Sequence, residues 1–438
     1  MDKLRKLALD LLIEYEEMGK YVNLSLSSHK ADNISGIDRA FLTSLLYTTV
    51  EHKLTYDYYI STLAKRSIDK VSKKARNILR LGMCQILDMD KVSDFTAVNE
   101  TVDLASSKGE RAFVNGILRA LVRSKNSLPI PDKNKDYARY LSVVYSFPKD
   151  TVKLFMSVFG QEDTEKLLKT FNDKNKYTDI AVNTGKISRE ELIKQLLSRG
   201  IDARESFSDN TVRILGAFDV RHAYGYSEGL FFVRDTASDV AVSALGIREG
   251  DTVIDVCAAP GGKSFSAAIM TGASGKVYSF DVHESKLSLI TDGAKRLGLD
   301  NIHVSAIDAT LGSESLFGKA DKVICDVPCS GLGILSKKPD IRYKDLKETE
   351  ALPSLQYSIL ERSVKYLKAG GEILYSTCTL NPRENREVVE RFLASHEGYT
   401  LVDFEVCTLK SKDGSLTLLP HVHATDGFFI AKIRKEKD

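Results

Sequence analysis

The segment that most constrains the fold lies at residues 253–264, where the sequence reads VIDVCAAPGGKS. An apolar run, a glycine turn and a polar start predict a β-strand that leads through a tight turn into a helix. Acidic residues follow this strand and three later apolar runs, at Asp255, Asp281, Asp308 and Asp326. Because the predicted strands alternate with helices, we expect a mostly parallel sheet whose strand ends share one crevice.

The rest of the chain is predicted to form two further parts, because 438 residues are too many for one ordinary hydrophobic core. Residues 1–127 carry apolar side chains at helical spacing, and residues 126–135 have the prolines and polar residues of a linker. Over residues 136–235 helical patterns at 149–159, 162–171 and 189–199 mix with strand patterns at 179–183, 211–214 and 230–233. We therefore predict an all-α domain over 1–127, a linker with a small α+β domain over 128–235, and an α/β domain over 236–438.

The glycine turn indicates a bound cofactor. Glycine has no Cβ, so the backbone of residues 259–262 can approach a ligand closely. The pattern is neither GxGxxG nor GxxxxGK[ST], which disfavours a dinucleotide or a nucleoside triphosphate. A carboxylate at Asp281 is placed to hold ribose hydroxyls, and one at Asp308 to accept from an adenine amino group. Both features fit S-adenosylmethionine, although a single such turn with capping aspartates is more often only structural.

Two of the six cysteines follow predicted strands on the same edge, Cys329 within DVPCSG and Cys378 within YSTCT. A single cysteine is most often an inert apolar side chain, and we expect this of Cys84, Cys325 and Cys407. None of the six lies in a CxxC pair or near a histidine cluster, which predicts reduced thiols and neither a metal site nor a disulfide framework. Cys329 and Cys378 are instead placed to reach a ligand.

Thiols beside such a cofactor predict methylation of carbon 5 of a pyrimidine. That carbon is a poor nucleophile until a group adds to carbon 6, and a thiolate can make this addition. After methyl transfer a base must remove the proton from carbon 5 before the thiolate leaves. Asp326 is placed to hold the edge of the pyrimidine. The residues alone do not order the roles of Cys329 and Cys378.

Charge and hydropathy bear on the partners of the protein. The formal net charge is only +2, but residues 1–127 hold 20 Lys and Arg against 16 Asp and Glu. The surplus is concentrated in one basic stretch, which contains Lys65, Arg66, Lys70, Lys73, Lys74, Arg76 and Arg80. This stretch is either a solvated helix face or a surface that binds RNA phosphates. The N-terminus lacks the apolar core of a signal peptide and no window approaches about 18 apolar residues, so we expect a cytoplasmic protein without membrane contact.

Three segments resemble those of one enzyme family. CAAPGGKS, DVPCSG and YSTCT, in this order and spacing, resemble the RNA cytosine-5 methyltransferases of the NOL1/NOP2/Sun group. The ending DGFFIAK at 426–432 resembles the last strand of that family. In the helical part, the segments that resemble a NusB-like RNA-binding domain are DRAF at 38–41, VNETV at 98–102 and FVNGILR at 113–119. The resemblance covers essentially the whole chain.

The resemblance implies a multi-domain protein with a NusB-like all-α domain, an α+β RNA-binding adaptor and a Rossmann-like methyltransferase domain. It assigns Cys378 as the nucleophile and Cys329 to product release, with Asp326 as the third catalytic residue. The residues that it implies for binding S-adenosylmethionine are Cys257, Ala258, Ala259, Pro260, Gly261, Gly262, Lys263, Asp281, Lys286, Asp308 and Asp326. The implied activity is methylation of carbon 5 of a cytosine in small-subunit (16S) ribosomal RNA by a monomeric enzyme.

Two other functions stay open. One is cytosine-5 methylation of transfer RNA or of another ribosomal RNA site. The other is a non-catalytic RNA-binding or antitermination factor with a vestigial catalytic fold, against which the intact thiols and glycine turn argue. Three positions depart from the family pattern: Lys286 replaces an arginine, Arg234-Asp235 replaces Gln-Asp, and Tyr343 replaces a tryptophan. We expect these departures to affect cofactor affinity and RNA contacts rather than the thiols.

Overall fold

The computed structural model describes residues 2–18, 34, 36–173, 177–216 and 218–437. The chain forms two compact units, Met1–Asn172 with Leu335–Lys344, and Asp173–Ile334 with Asp345–Asp438. The segment 335–344 therefore belongs to the first unit, although it follows the Cys329 segment in sequence. The division into three domains at 127/128 and 235/236 stays a prediction. Among the described residues, no helix combines the length and the hydropathy needed to cross a membrane.

The first unit is all-helical in the part that the structure describes. Its helices are α1 Lys3–Met18, α2 Gly36–Glu51, α3 Lys53–Ala64, α4 Lys73–Asp88, α5 Asp94–Val102, α6 Lys108–Ser124, α7 Tyr137–Tyr145 and α8 Lys149–Phe171. Ser72, Ser93 and Ser107 begin α4, α5 and α6 by accepting a hydrogen bond from the backbone N–H three residues on. Apolar side chains of α1 to α6 pack into one core. Gly160, with φ 78°, kinks α8 between the helices predicted at 149–159 and 162–171.

The basic stretch of this unit divides into exposed and buried cations. The exposed ones are Lys65, Arg66, Lys70 and Lys73. Arg80 is only 3% exposed, and its guanidinium lies 2.5 Å from Glu16 and 2.6 Å from Asp57. The prediction that Arg80 belongs to an RNA-binding surface is therefore wrong. The sequence misleads at this position because both neutralising carboxylates are distant from Arg80 along the chain.

The segment 335–344 packs on the helices through two large side chains. Arg342 is fully buried, donates hydrogen bonds to the carbonyls of Glu51 and Phe171, and lies 4.3 Å from the centre of the Phe147 ring. The Tyr343 hydroxyl donates to the Glu51 carbonyl at 3.0 Å. The departure at Tyr343 thus falls within the packing of the first unit.

The second unit contains a small antiparallel sheet. Its strands are β1 Tyr177–Val182, β2 Ala203–Glu205, β3 Thr211–Leu215 and β4 Phe231–Val233, in the order β2-β3-β1-β4. Helix α9 Arg189–Leu197 supplies Leu192 and Leu196 to the core on one face. Asp179 on β1 is buried and accepts two hydrogen bonds from Arg213 on β3, at 2.8 and 2.9 Å. The strands predicted at 179–183, 211–214 and 230–233 agree with these to within two residues.

The larger sheet of this unit has eight strands. They are β5 Thr252–Asp255, β6 Lys276–Asp281, β7 Ile302–Ala306, β8 Ala320–Asp326, β9 Leu367–Thr377, β10 Tyr399–Leu401, β13 Ser415–Leu418 and β14 Phe428–Lys435. The order is β10-β14-β9-β8-β5-β6-β7, with β13 also paired to β14. A separate hairpin joins β11 Glu405–Val406 to β12 Leu409–Lys410. The helices are α10 Thr236–Ala244, α11 Gly262–Thr271, α12 Glu284–Leu297, α13 Leu352–Ser363, α14 Arg386–Ser395 and α15 Pro420–His423.

Strands β5 to β9 are parallel, and β14 runs antiparallel to β9. Both faces of the sheet are covered, because the successive residues Val253 and Ile254 belong to different apolar cores. The chain proceeds outward from β5 to β6 and β7 and then returns to β8 on the other side of β5. A crevice opens at such a reversal, outside the carboxyl ends of the strands. The predicted α/β fold with a central parallel sheet is confirmed.

Candidate active site

The candidate site lies at the carboxyl edge of the eight-stranded sheet. The glycine turn follows β5, and the Cys329 and Cys378 segments follow β8 and β9. These three strands are adjacent, with Asp255 paired to Ile324 and Asp326 paired to Ser376 in the ladders. The fold therefore brings together segments that are far apart in sequence.

The glycine turn is fixed to the end of the neighbouring strand β6. The backbone N–H of Ala258 donates to the carbonyl of Phe280 at 2.7 Å. The Asp281 carboxylate accepts from the backbone N–H groups of Ala259 at 3.3 Å and His283 at 2.9 Å. Gly261 has φ 113°, and a Cβ there would lie 2.4 Å from the Phe265 ring, so only glycine fits.

Asp255 leaves one buried oxygen unsatisfied. Its Oδ2 accepts from the Ser264 hydroxyl at 2.7 Å, while Oδ1 has no hydrogen-bond partner of normal geometry among the described residues. Burial raises the pKa of Asp255 to about 7. The sequence marked Asp255 as a strand-end acid but gave no signal that one of its oxygens is unpaired.

The Asp326 carboxylate is held on both oxygens. Lys263 Nζ donates to Oδ2 at 2.6 Å, and the Ser376 hydroxyl donates to Oδ1 at 2.7 Å. Lys263 lies in the first turn of α11 and Ser376 near the end of β9. Side chains of β9 and of the helix after β5 thus meet the Asp326 carboxylate at the end of β8, where it is partly exposed.

The two candidate thiols are in contact. Cys329 Sγ lies 3.2 Å from Cys378 Sγ, and both cysteines are free and partly exposed. The hydrogen bond with the Cys378 thiol, together with burial, raises the pKa of Cys329 well above its usual value. Cys329 therefore keeps its proton at neutral pH, beside a second sulfur that can accept it.

Other sequence candidates have different surroundings. Asp308 is exposed, and its carboxylate accepts from the Thr310 N–H and hydroxyl, which lowers its pKa. Lys286 is exposed in the first turn of α12. Burial raises the pKa of Cys257 well above its usual value, so this thiol is an apolar neighbour of the site.

The remaining cysteines follow the expectation only in part. Cys84 and Cys325 are fully buried, as predicted for apolar core residues. Cys407 is only partly buried. It lies in the short connection between β11 and β12, where its φ is 53°.

Two buried residues support the site: Arg234, which the sequence marked only as a departure from the family pattern, and Glu384, which sequence reasoning missed. Arg234 lies behind the glycine turn, where its guanidinium donates to the Gly262 carbonyl at 3.2 Å and pairs with Asp239 at 3.4 Å. Glu384 is fully buried beside the Cys329 segment. A signal existed for both, because Arg234 is a departure from the family pattern and Glu384 follows Cys378 by only six residues.

The sequence matches two family models, the NusB family over residues 2–123 and 16S rRNA methyltransferase RsmB/F over residues 242–434. A relative from Bacillus subtilis (strain 168), named probable ribosomal RNA small subunit methyltransferase B, is 34% identical over 99% of this chain and 98% of its own length. The chain belongs to the RsmB/F family of 16S rRNA methyltransferases. The RsmB/F match contains the glycine turn, Asp326 and both thiols.

Further comparisons agree with the RsmB/F assignment. A protein of the same name from Synechocystis sp. is also 34% identical, over 98% of this chain and 99% of its own length. Among solved structures, PH0851 is similar with a TM-score of 0.78 and 26% identity, over 99% of this chain and 97% of that chain. The predicted resemblance to Sun-type methyltransferases and the predicted NusB-like domain are confirmed.

Proposed function

We propose that the protein transfers a methyl group from S-adenosylmethionine to carbon 5 of a cytosine in 16S ribosomal RNA, through a covalent adduct with Cys378. The observation that carries this proposal is the 3.2 Å contact between two thiols on the edge that also holds the glycine turn. One thiol suffices to form an adduct with a pyrimidine. A second, protonated thiol beside it suits a reaction in which the first must later leave.

The residues present fit the cofactor. Asp255 Oδ1 is buried without a hydrogen-bond partner of normal geometry among the described residues, and as part of a mostly protonated carboxyl it can donate to an oxygen or nitrogen acceptor of S-adenosylmethionine. Asp281 has two oxygens fixed by backbone N–H groups and keeps lone pairs for ribose hydroxyls. We propose that the cofactor is held by Asp281, by Asp255 and by the backbone of residues 257–262, with Lys263 acting through Asp326. Lys286 and Asp308 stay predictions. The cofactor supplies an electrophilic methyl group on a sulfonium.

The chain's own residues then perform four tasks. The Cys378 thiol loses its proton to solvent, its Sγ forms a bond to carbon 6, and the electrons of the double bond between carbons 5 and 6 move to carbon 5, which becomes nucleophilic. Asp326, fixed by Lys263 and Ser376, orients the edge of the pyrimidine. After methylation a base takes the proton from carbon 5, the bond from sulfur to carbon 6 breaks, and Cys378 leaves as a thiolate. Cys329 Sγ lies 3.2 Å away, and its thiol stabilises that thiolate by donating a hydrogen bond to it.

The target cytosine must be accessible on its face at carbon 6. In a duplex that carbon is hidden by stacking, so we propose a single-stranded, bulged or flipped cytosine as the substrate. We also propose that the protein acts as a monomer, which sedimentation at micromolar concentration tests.

Bisulfite sequencing of total RNA tests the proposed function, because 5-methylcytosine resists conversion. RNA from a strain that lacks the protein should lose one protected cytosine in 16S ribosomal RNA, and the wild-type gene should restore it. A protected cytosine lost instead from transfer RNA or from another ribosomal RNA would favour that substrate. Unchanged protection in every RNA, with RNA binding intact, would favour the non-catalytic factor.

The exposed cations of the basic stretch are proposed to bind RNA phosphates. Neutralising Lys65, Lys70 and Lys73 should flatten the dependence of log affinity on log salt by about 0.7 to 0.9 for each phosphate that is no longer bound. Arg80→Met is the matched control, since Arg80 is buried between Glu16 and Asp57 and should alter stability but not the salt slope. A salt slope unchanged in the triple variant would make the stretch a solvated helix face.

A further inference from the structure

A buried carboxylate lies between the two cysteine segments. Glu384 ends the short helical turn Pro382–Glu384, between β9 and α14, and its exposed fraction is 0%. Its Oε2 accepts from the Ser330 backbone N–H at 2.8 Å and from Gln356 Nε2 at 3.0 Å. Its Oε1 accepts from Asn381 Nδ2 at 3.0 Å. The carboxylate therefore bonds to two other segments of the chain and to Asn381, the N-cap of its own turn.

These bonds hold the residues on both sides of Cys329. Ser330 follows Cys329 and is bound directly by Glu384. Pro328 precedes it, and its carbonyl accepts from the same Gln356 Nε2 at 2.9 Å. Asn381, the partner on the other oxygen, lies three residues after Cys378. Glu384 is thus a direct bridge from the Cys329 segment to the segment that carries Cys378.

The chemistry of the three partners suits a carboxylate and not a neutral side chain. Each partner is an uncharged N–H donor, and an ionised carboxylate only accepts, so all three bonds form at once. The contacts to Ser330 and Gln356 share one oxygen, which a methyl group cannot replace. An alanine at 384 would leave three buried donors unpaired and a void. Beyond the pairing of β8 with β9, the two segments would then be joined by the Ser330–Thr379 hydroxyl contact at 2.7 Å and by the bond from the Gly333 N–H to the Cys378 carbonyl at 2.9 Å.

We propose that Glu384 is a positioning residue of the site, which helps to keep Cys329 Sγ in contact with Cys378 Sγ so that the Cys329 thiol can assist the departure of the Cys378 thiolate. This inference rests on the proposed function for its catalytic part. Its geometric part is independent of that function, because it concerns only the contact between the two thiols.

The thiol contact is measured by the rate at which the full-length protein forms a Cys329–Cys378 disulfide with diamide. The two thiols lose two electrons and two protons, and the diazene is reduced to the hydrazine. Peptide mapping by mass spectrometry reports the pair. We expect Glu384→Ala to slow this coupling by about tenfold or more, because a small displacement of either sulfur removes the near-attack geometry. Glu384→Gln keeps one acceptor oxygen for the Ser330 N–H but faces Asn381 Nδ2 with an N–H group, so it should recover only part of the rate.

The matched control is Glu387→Ala, an exposed glutamate three residues on, which should couple at the wild-type rate. In methylation assays, Glu384→Ala should lower kcat by about tenfold or more while the KM for S-adenosylmethionine stays within about twofold. A folded Glu384→Ala variant that couples its thiols and turns over at wild-type rates would overturn the proposal. An equal loss in Glu387→Ala would overturn it as well.

Gln356→Ala provides a second test if Glu384→Ala does not fold. This substitution removes the hydrogen bonds from Gln356 to Glu384 and to the Pro328 carbonyl, so it should slow thiol coupling by a smaller factor than Glu384→Ala. A wild-type coupling rate in Gln356→Ala would contradict the proposed role of Glu384. Slow coupling in the Glu384 variants, together with a wild-type protein that methylates no RNA, would disprove the proposed function and leave the bridge standing.

Discussion

The two edges of the eight-stranded sheet use polar side chains in opposite ways. At the amino edge, Lys322 and Arg434 each lie 2.6 Å from Glu372, and Lys368 lies 2.7 Å from Asp321. These pairs line an open cavity of about 770 Å³. At the carboxyl edge, Asp255 has an unpaired buried oxygen and two thiols face each other.

The difference separates charges that support the fold from groups that are available for chemistry. The carboxylates of the amino edge are neutralised by cations of neighbouring strands, which leaves little net charge to attract a ligand into that cavity. At the carboxyl edge Lys263 pairs with Asp326, but in the part of the chain that the structure describes Asp255 and the two thiols form no ion pair. A cavity alone therefore does not identify the functional site. Polar groups without partners, at the point where the strand order reverses, identify it better.

Asp255 and Asp321 should give opposite pH dependences of stability, the largest effect that this comparison predicts. The pKa of Asp255 is raised by burial from 3.8 to about 7. The contribution of Asp255 to the free energy of unfolding is therefore fully present below pH 3.8 and is lost as pH rises through 7. Relative to Asp255→Asn, the wild type should lose on the order of 4 kcal/mol of unfolding free energy from pH 4 to pH 8.

Asp321 provides the control on the amino edge. Burial opposes its ionisation, but the hydrogen bonds from Lys368 and from the Thr252 N–H hold its pKa below the usual value. The contribution of Asp321 to the free energy of unfolding is present above pH 3.8 and is lost as pH falls through the lowered pKa. Urea unfolding at several pH values measures both variants against the wild type. A pH-independent difference for Asp255→Asn would contradict the assignment of a buried, mostly protonated carboxyl at the carboxyl edge.

The second effect concerns the cofactor. Asp281→Ala should weaken binding of S-adenosylmethionine by roughly tenfold or more, about 1.5 to 3 kcal/mol for charge-assisted hydrogen bonds. Titration calorimetry measures it, and Asp281→Asn, which keeps an acceptor for one backbone N–H, should lose less. Wild-type affinity in a folded Asp281→Ala protein would remove this residue from the proposed site.

The smallest effect belongs to an exposed pair of the amino edge. Lys368→Ala should cost less than about 1 kcal/mol of unfolding free energy, because the side chain is 45% exposed and the pair is screened. Methylation should be unchanged, since Lys368 is at the edge without reactive groups. A large loss of activity in this variant would show that the amino edge takes part in the reaction.

The carboxyl edge was predictable because its signals are local. The glycine turn, the strand-end aspartates and the two thiols each lie within a few residues of a strand that the apolar pattern marks. Parallel strands then place these segments together without further information. Within the family, the order of CAAPGGKS, DVPCSG and YSTCT was sufficient to identify the enzyme class.

The remaining features depend on contacts between distant residues. Arg80 looks like part of a cationic surface until Glu16 and Asp57 are placed against it. The segment 335–344 falls within the α/β domain predicted over residues 236–438, yet it belongs to the helical unit, where Arg342 is buried. Glu384 joins three segments of the second unit. No periodicity or composition reports such pairings, because they exist only after the tertiary fold has formed.

The measurement that tests the central claim most directly is trapping of the protein–RNA adduct. Cys329→Ala can still form the bond from Cys378 to carbon 6 and accept the methyl group, but the adduct should resolve slowly. With ribosomal RNA and S-adenosylmethionine it should accumulate a species that survives SDS electrophoresis and disappears on nuclease treatment. Cys378→Ala should be inactive and leave no such species. Trapping by Cys378→Ala alone would reverse the two roles, and undiminished methylation in both variants would contradict the covalent mechanism.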